Sequence, residues 1–141
     1  MLCREIMKYA VKCATTQATV AEAAVVMRDE KIGFLPVCDV KRNVVGTLTD
    51  RDIVIRVVAA RESPDQSVES FMTRDVVACR SDDDVVIAQD LMSDLQVSRI
   101  ICMSDEALLE GVISLSDIAQ VADGADASAT LRDVSAREAR L

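Results

Sequence analysis

The sequence predicts an α/β fold made of two β-α-β-β-α repeats packed on a pseudo-two-fold axis. Three observations carry that expectation. The chain matches itself, without gaps, at a shift of 65 residues. Half of its 141 residues are apolar, yet only Phe34, Phe71 and Tyr9 are aromatic, so the core must be aliphatic. Short apolar runs alternate with segments of helical periodicity. In the self-match Met7 falls on Met72, Val11 on Val76, Val20 on Val85, Ala23 on Ala88 and Met27 on Met92. Asp29, Gly46, Asp52 and Ile53 fall on Asp94, Gly111, Asp117 and Ile118, giving nine identities in 47 positions. The constant register, more than the identities, makes duplication the better explanation.

Each element of the first copy has a local reason. Apolar segments ending at Met7 and Met72 lead into the copies as brief helical turns. Val11 to Ala14 reads as a short strand. Thr19 and Glu22 have capping-box spacing, and Val20, Ala23, Ala24 and Met27 form one apolar helix face. Phe34 to Cys38 is a second strand, Asp39 to Asn43 a turn, and Val44 to Thr49 a third strand. A second helix is expected from about Asp50 to Ala60. The second copy repeats the order from Val76 through Ile118, with Asp82, Asp83 and Asp84 placing negative charge at a helix start. The expected division is residues 1–65, residues 66–123, and a tail of residues 124–141 in which Thr130 to Arg140 reads as a short helix. A unit of about fifty residues is too small to be comfortable alone, and two copies packed together create a cleft suited to a ligand.

Composition excludes several functions. The net charge of −8 opposes a grip on nucleic-acid phosphates, and no apolar run is long enough to span a bilayer. The charged pair Arg4-Glu5 interrupts any signal-peptide core, so a cytoplasmic protein is expected. With no histidine, the usual general base, the histidine-activated nucleophiles and the commonest zinc ligand are all missing. An enzyme is not expected, nor a metal site. The five cysteines read as small buried hydrophobes. Cys13 and Cys38 end the first two strands of copy one and could lie side by side, close enough for a disulfide.

Gly46-Thr47-Leu48-Thr49-Asp50-Arg51-Asp52 recurs as Gly111-Val112-Ile113-Ser114-Leu115-Ser116-Asp117. A glycine lets a ligand approach the backbone, a hydroxyl at a helix start suits phosphate, and a carboxylate three residues on can accept from a ribose diol. Arg51 could add a contact to phosphate. The same Thr/Ser-x-x-Asp spacing is also a plain helix-capping box, which binds nothing. The glycine inside a strand, present in both copies, favours the functional alternative.

The doubled glycine motif, joined to Gly33-Phe34-Leu35-Pro36, resembles a tandem pair of cystathionine-β-synthase (CBS) domains, or Bateman module, of the small stand-alone bacterial type. That resemblance covers about residues 2 to 123. It implies a regulatory module that needs no cofactor and binds AMP, ADP, ATP or S-adenosylmethionine between the repeats. It also implies a homodimer and an effector protein as partners. Thr49 and Ser114 match the ribose–phosphate hydroxyl, and Asp52 and Asp117 the ribose carboxylate. Thr15, Thr16, Arg80, Ser81 and the second strands would frame the base. Ser98-Arg99-Ile100-Ile101 replaces Gly33-Phe34-Leu35-Pro36 in the second copy, where Arg99 could reach a phosphate. The alternative is a dimeric interaction module with an empty cleft.

Overall fold

A computed structural model describes residues 1–9 and 11–136 and carries two three-stranded sheets. In the first, β1 (Ala14–Thr15) pairs parallel with β2 (Phe34–Cys38), which pairs antiparallel with β3 (Val44–Thr49). The second repeats that order with β4 (Ala78–Arg80), β5 (Arg99–Met103) and β6 (Leu109–Ser114). Both hairpins carry a register shift at equivalent positions, Val37/Cys38 and Cys102/Met103. The α/β repeat architecture is therefore present in both halves.

The first strand begins three residues later than Val11; β4 begins two residues after the equivalent Val76, and Pro36 explains the one further residue. In the second half the N–H of Ile101 donates to the Val77 carbonyl at 3.2 Å, extending the parallel ladder through Ala78. Pro36 stands at the position equivalent to Ile101 and has no N–H to donate. The ladder loses that rung, so Cys13 lies just outside β1.

Helix α1 (Val20–Glu30) follows β1 and α3 (Val85–Leu95) follows β4, each burying the same three positions: Val20, Ala23 and Met27, or Val85, Ala88 and Met92. Thr19 caps α1 by accepting from the Glu22 N–H at 3.1 Å, without the reciprocal Glu22 bond of a full capping box. Asp84 caps α3 through the Val86 N–H at 2.9 Å, and that bond holds its carboxyl below the usual range.

After β3 the chain makes one α-turn, α2 (Asp50–Asp52), and then a π-helical stretch from Ile53 to Val58. The wider turn, seen in Ala59 N–H to Val54 O at 2.8 Å, buries Val57 and leaves Val54, Ile55 and Val58 exposed. The equivalent α4 (Leu115–Val121) is an ordinary α-helix. Helix α5 (Gly124–Ser135) starts earlier than the expected Thr130, capped by Asp123, and buries Thr130 and Val134 against α3. Thr130 receives the Gln89 amide at 3.0 Å. The rest of the expected Thr130–Arg140 helix, residues 137–140, lies outside the described residues.

The compact units are offset from the sequence repeat. One is Lys12–Val76; the other combines Met1–Val11 with Val77–Leu141. Each lead-in segment packs on the copy that it does not precede. Residues 2–8 form a 3-10 turn (Cys3–Glu5) and bridge Asp84 and Val112 of the second copy. The equivalent turn, Val68–Ser70, precedes a bridge from Thr73 to Thr47 in the first copy. Each unit has its own aliphatic core, around Leu35, Val37 and Leu48 in one and Ile100, Ile113 and Ile118 in the other.

Candidate functional site

In both units the repeated motif turns from strand to helix through the same closed ring of hydrogen bonds. Thr49 Oγ1 accepts from the Asp52 N–H at 3.0 Å, and Asp52 Oδ2 accepts from the Thr49 N–H at 2.9 Å. Ser114 Oγ accepts from the Asp117 N–H at 3.3 Å, and Asp117 Oδ2 accepts from the Ser114 N–H at 2.8 Å. The bland reading, a helix cap, is thus realised. It uses one oxygen of each carboxylate and leaves the other for a further partner.

That second oxygen faces a cation in each unit, and the two cations come from different places. Asp52 Oδ1 lies 3.8 Å from the Arg56 guanidinium, one helical turn on. Asp117 Oδ1 lies 3.7 Å from Lys8 Nζ, which the lead-in segment delivers. The carboxylates are only 17% and 16% exposed, so a ligand can reach an edge of each but not both oxygens. Lys8 and Arg56 were not singled out from the sequence. The four-residue spacing of Asp52 and Arg56 could have revealed one, but only the fold reveals Lys8.

The motif glycines do permit a close approach, but by the chain itself. A Cβ on Gly46 would stand 2.6 Å from Met72 Sδ and 2.9 Å from the Thr73 carbonyl oxygen. On Gly111 it would meet the Lys8 carbonyl oxygen at 2.8 Å and Met7 at 2.9 Å. The lead-in segments thus fill the space that each absent Cβ leaves. Gly33 is similar, because a Cβ there would meet the Asp50 carboxylate at 2.6 Å.

The remaining expected site residues are spread along the sheets. Phe34 pairs with Thr49 and Arg99 with Ser114, so both sit at the motif end. Phe34 is half-buried, while Arg51 and Arg99 are exposed. Leu35, Pro36 and Ile100 are buried, and Leu35 and Ile100, at 0% exposure, belong to the cores. Thr15 and Arg80 lie opposite Cys38 and Met103, four strand residues away, or about 13 Å at ~3.3 Å per residue. Within a unit, Thr15, Thr16, Arg80 and Ser81 therefore do not meet the motif carboxylate. Arg80 and Ser81 instead border a cavity of about 470 Å3 with Arg4, Tyr9, Met103 and Glu110. The buried Ser81 hydroxyl donates to the Glu110 carboxylate there.

Cys13 and Cys38 are both free thiols. Cys13 precedes β1 and Cys38 ends β2, and the register puts them on one face of the sheet, two residues apart along it. Burial, with the neighbouring Cys13, pushes the Cys38 thiol up to about 12. Among the described residues no helix is long and apolar enough to cross a membrane, and no group of side chains is arranged to hold a metal ion.

A CBS domain family profile matches residues 3–59 and again 68–124. Hypoxic response protein 1 of Mycobacterium tuberculosis is 33% identical over 118 residues, which cover 83% of this chain and 82% of that protein. An uncharacterised 17.7 kDa protein of Acidianus ambivalens is 35% identical over 102 residues, covering 72% of this chain and 61% of the relative. Among solved structures, the CBS domain pair of protein MJ0100, in complex with 5′-methylthioadenosine and S-adenosyl-L-methionine, superposes with a TM-score of 0.77 at 25% identity. That match covers 89% of this chain and 98% of the other.

Proposed function

The chain belongs to the CBS domain family, and from that premise we propose that it is a non-enzymatic regulatory module sensing an adenosine-containing small molecule. The observation that carries this reading is the doubled junction. Two strand-to-helix turns each present a hydroxyl and a partly exposed carboxylate with one oxygen uncommitted to the backbone. A ribose diol offers two donors to such an oxygen. The nearby cation, Arg56 or Lys8, suits a phosphate or a ligand carboxylate. The match to a CBS pair holding S-adenosyl-L-methionine supports the same ligand class.

Thermal shift of the purified chain against AMP, ADP, ATP, S-adenosylmethionine and NAD tests this directly. A ligand that binds only the folded state raises the melting temperature by mass action, about 2.7 kcal/mol at a hundredfold excess over Kd. No response to any of the five at millimolar concentration overturns the proposal.

A second reading, a protein-interaction module acting as a homodimer, draws on the exposed Val54, Ile55 and Val58, which are 57%, 48% and 67% accessible. A contiguous apolar strip of this kind is usually covered by a partner. The expected result is a dimer mass near twice 15.3 kDa by light scattering at micromolar concentration, reduced to the monomer by Val58→Glu. A monomeric wild-type chain removes the dimer.

A further inference from the structure

Three of the five cysteines meet in one core. Cys3 of the N-terminal turn, Cys79 of β4 and Cys102 of β5 are 0%, 6% and 0% exposed. Cys79 Sγ lies 3.7 Å from Cys3 Sγ and 3.7 Å from Cys102 Sγ. The first copy has Val68, Ala14 and Val37 at the equivalent positions, all buried. Packing this corner of the fold therefore needs no sulfur. The sulfurs also join segments that are far apart in the chain: Cys3 and Cys79 are 76 residues apart.

We propose that Cys3 and Cys79 are an oxidation site, and that a hydroperoxide converts them to a disulfide that staples residues 1–11 onto the second repeat. Of the two sulfur pairs at 3.7 Å, this one can close. A disulfide needs the sulfurs at about 2.05 Å. Cys79 and Cys102 stand directly opposite each other in the parallel ladder, where the sheet hydrogen bonds fix both backbones. Cys3 sits in a three-residue 3-10 turn outside both three-stranded sheets, held by its N–H to Asp83 O at 2.8 Å and its Sγ–H to Asp84 O at 3.8 Å, so closure asks this turn, rather than a ladder strand, to move.

The chemistry balances. Cys3 Sγ, as thiolate, attacks one peroxide oxygen; the O–O bond breaks, the alcohol or water leaves, and a sulfenic acid forms. Cys79 Sγ then attacks that sulfur, the S–O bond breaks, water leaves, and the S–S bond forms. Two thiols lose two electrons and two protons, and the hydroperoxide takes up both. The hydrogen bonds that Cys102 and Cys79 direct at Cys3 hold its thiol below the ordinary range, while Cys79 and Cys102 are held above it. Once the N-terminal turn opens to admit the hydroperoxide, this order of acidity favours Cys3 as the attacking sulfur.

The test uses the full chain treated with hydrogen peroxide, alkylated and digested with trypsin without reduction. Peptide 1–4 should be linked to peptide 75–80, and denatured thiol titration should fall from five thiols to three. Cys102→Ala should keep the link; Cys3→Ala, and Cys79→Ala as a second variant, should lose it. Hydrogen exchange of residues 2–8 should slow in the oxidised wild type and stay unchanged in Cys3→Ala treated alike. A link between Cys79 and Cys102, a link between Cys13 and Cys38 in its place, or five thiols surviving excess peroxide each overturn the proposal.

Discussion

Gly111→Val is expected to destabilise the chain at the upper end of about 1–3 kcal/mol, with the loss centred on the N-terminal segment. The branched side chain would begin 2.8 Å from the Lys8 carbonyl oxygen and 2.9 Å from Met7 Cγ and Sδ. Met7 can rotate, but the carbonyl cannot retreat easily. Lys8 and Val112 exchange both backbone hydrogen bonds, at 3.0 and 3.2 Å, and these hold the segment against β6. Valine must therefore expel the segment, which also withdraws Cys3 and Met7 from the core and Lys8 from Asp117. Urea denaturation gives the size of the effect, and amide exchange at Lys8 and Val112 gives its location. Unchanged exchange at those two amides would show that the glycine is not the seat of the lead-in segment. Gly46→Val should act likewise on Thr73, whose carbonyl oxygen would be 2.9 Å away.

The second large effect concerns the carboxylates. Asp52→Ala should weaken the nucleotide found by thermal shift more than Asp117→Ala does. The first is expected to cost about 1.5–3 kcal/mol, roughly ten- to a hundredfold in affinity, as for a hydrogen bond to a charged group. Lys12–Val76 holds nine basic and ten acidic residues, whereas the other unit holds seven and fourteen, so an anionic ligand favours the first. Arg51 and Arg56 flank Asp52, while Lys8 serves Asp117 alone. Each alanine also removes half of a reciprocal cap, worth about 1 kcal/mol of stability. Asp52→Asn and Asp117→Asn keep an acceptor for the backbone N–H and separate the two effects. A larger loss of affinity from Asp117 would refute the charge argument.

The strands β2 and β3 were readable to the residue because an apolar run and a turn bracket each of them. The start of β1 was not, since a ladder rung missing at Pro36 is a property of the partner strand. Nor was the π-helical stretch: in Ile53–Val58 nearly every residue is apolar, so the sequence holds no periodic face to fix the register. The reciprocal cap is legible in the Thr/Ser-x-x-Asp spacing, as the alternative to a ligand site. What packs beside the glycines is not legible, because the repeat assigns each lead-in segment to the copy that follows it. Hydrophobic pattern says that Met7 and Met72 are buried; it does not say on which copy.

The exchanged lead-in segments impose an order on biosynthesis. The strand pairs and the Thr47–Thr73 bridge of residues 12–76 lie within that unit, so it can close while later residues are still being added. Residues 1–11 have no such partner nearby. Leu2 and Cys3 wait for Asp83 and Asp84, and Lys8 waits for Val112, more than a hundred residues downstream. Local contacts form early and distant ones late, because the loop between them must close first. During translation residues 1–11 are therefore an unpaired apolar thread beside a finished neighbour. A ribosome pausing before Val112 leaves that thread exposed to chaperones or to the same thread of an adjacent nascent chain.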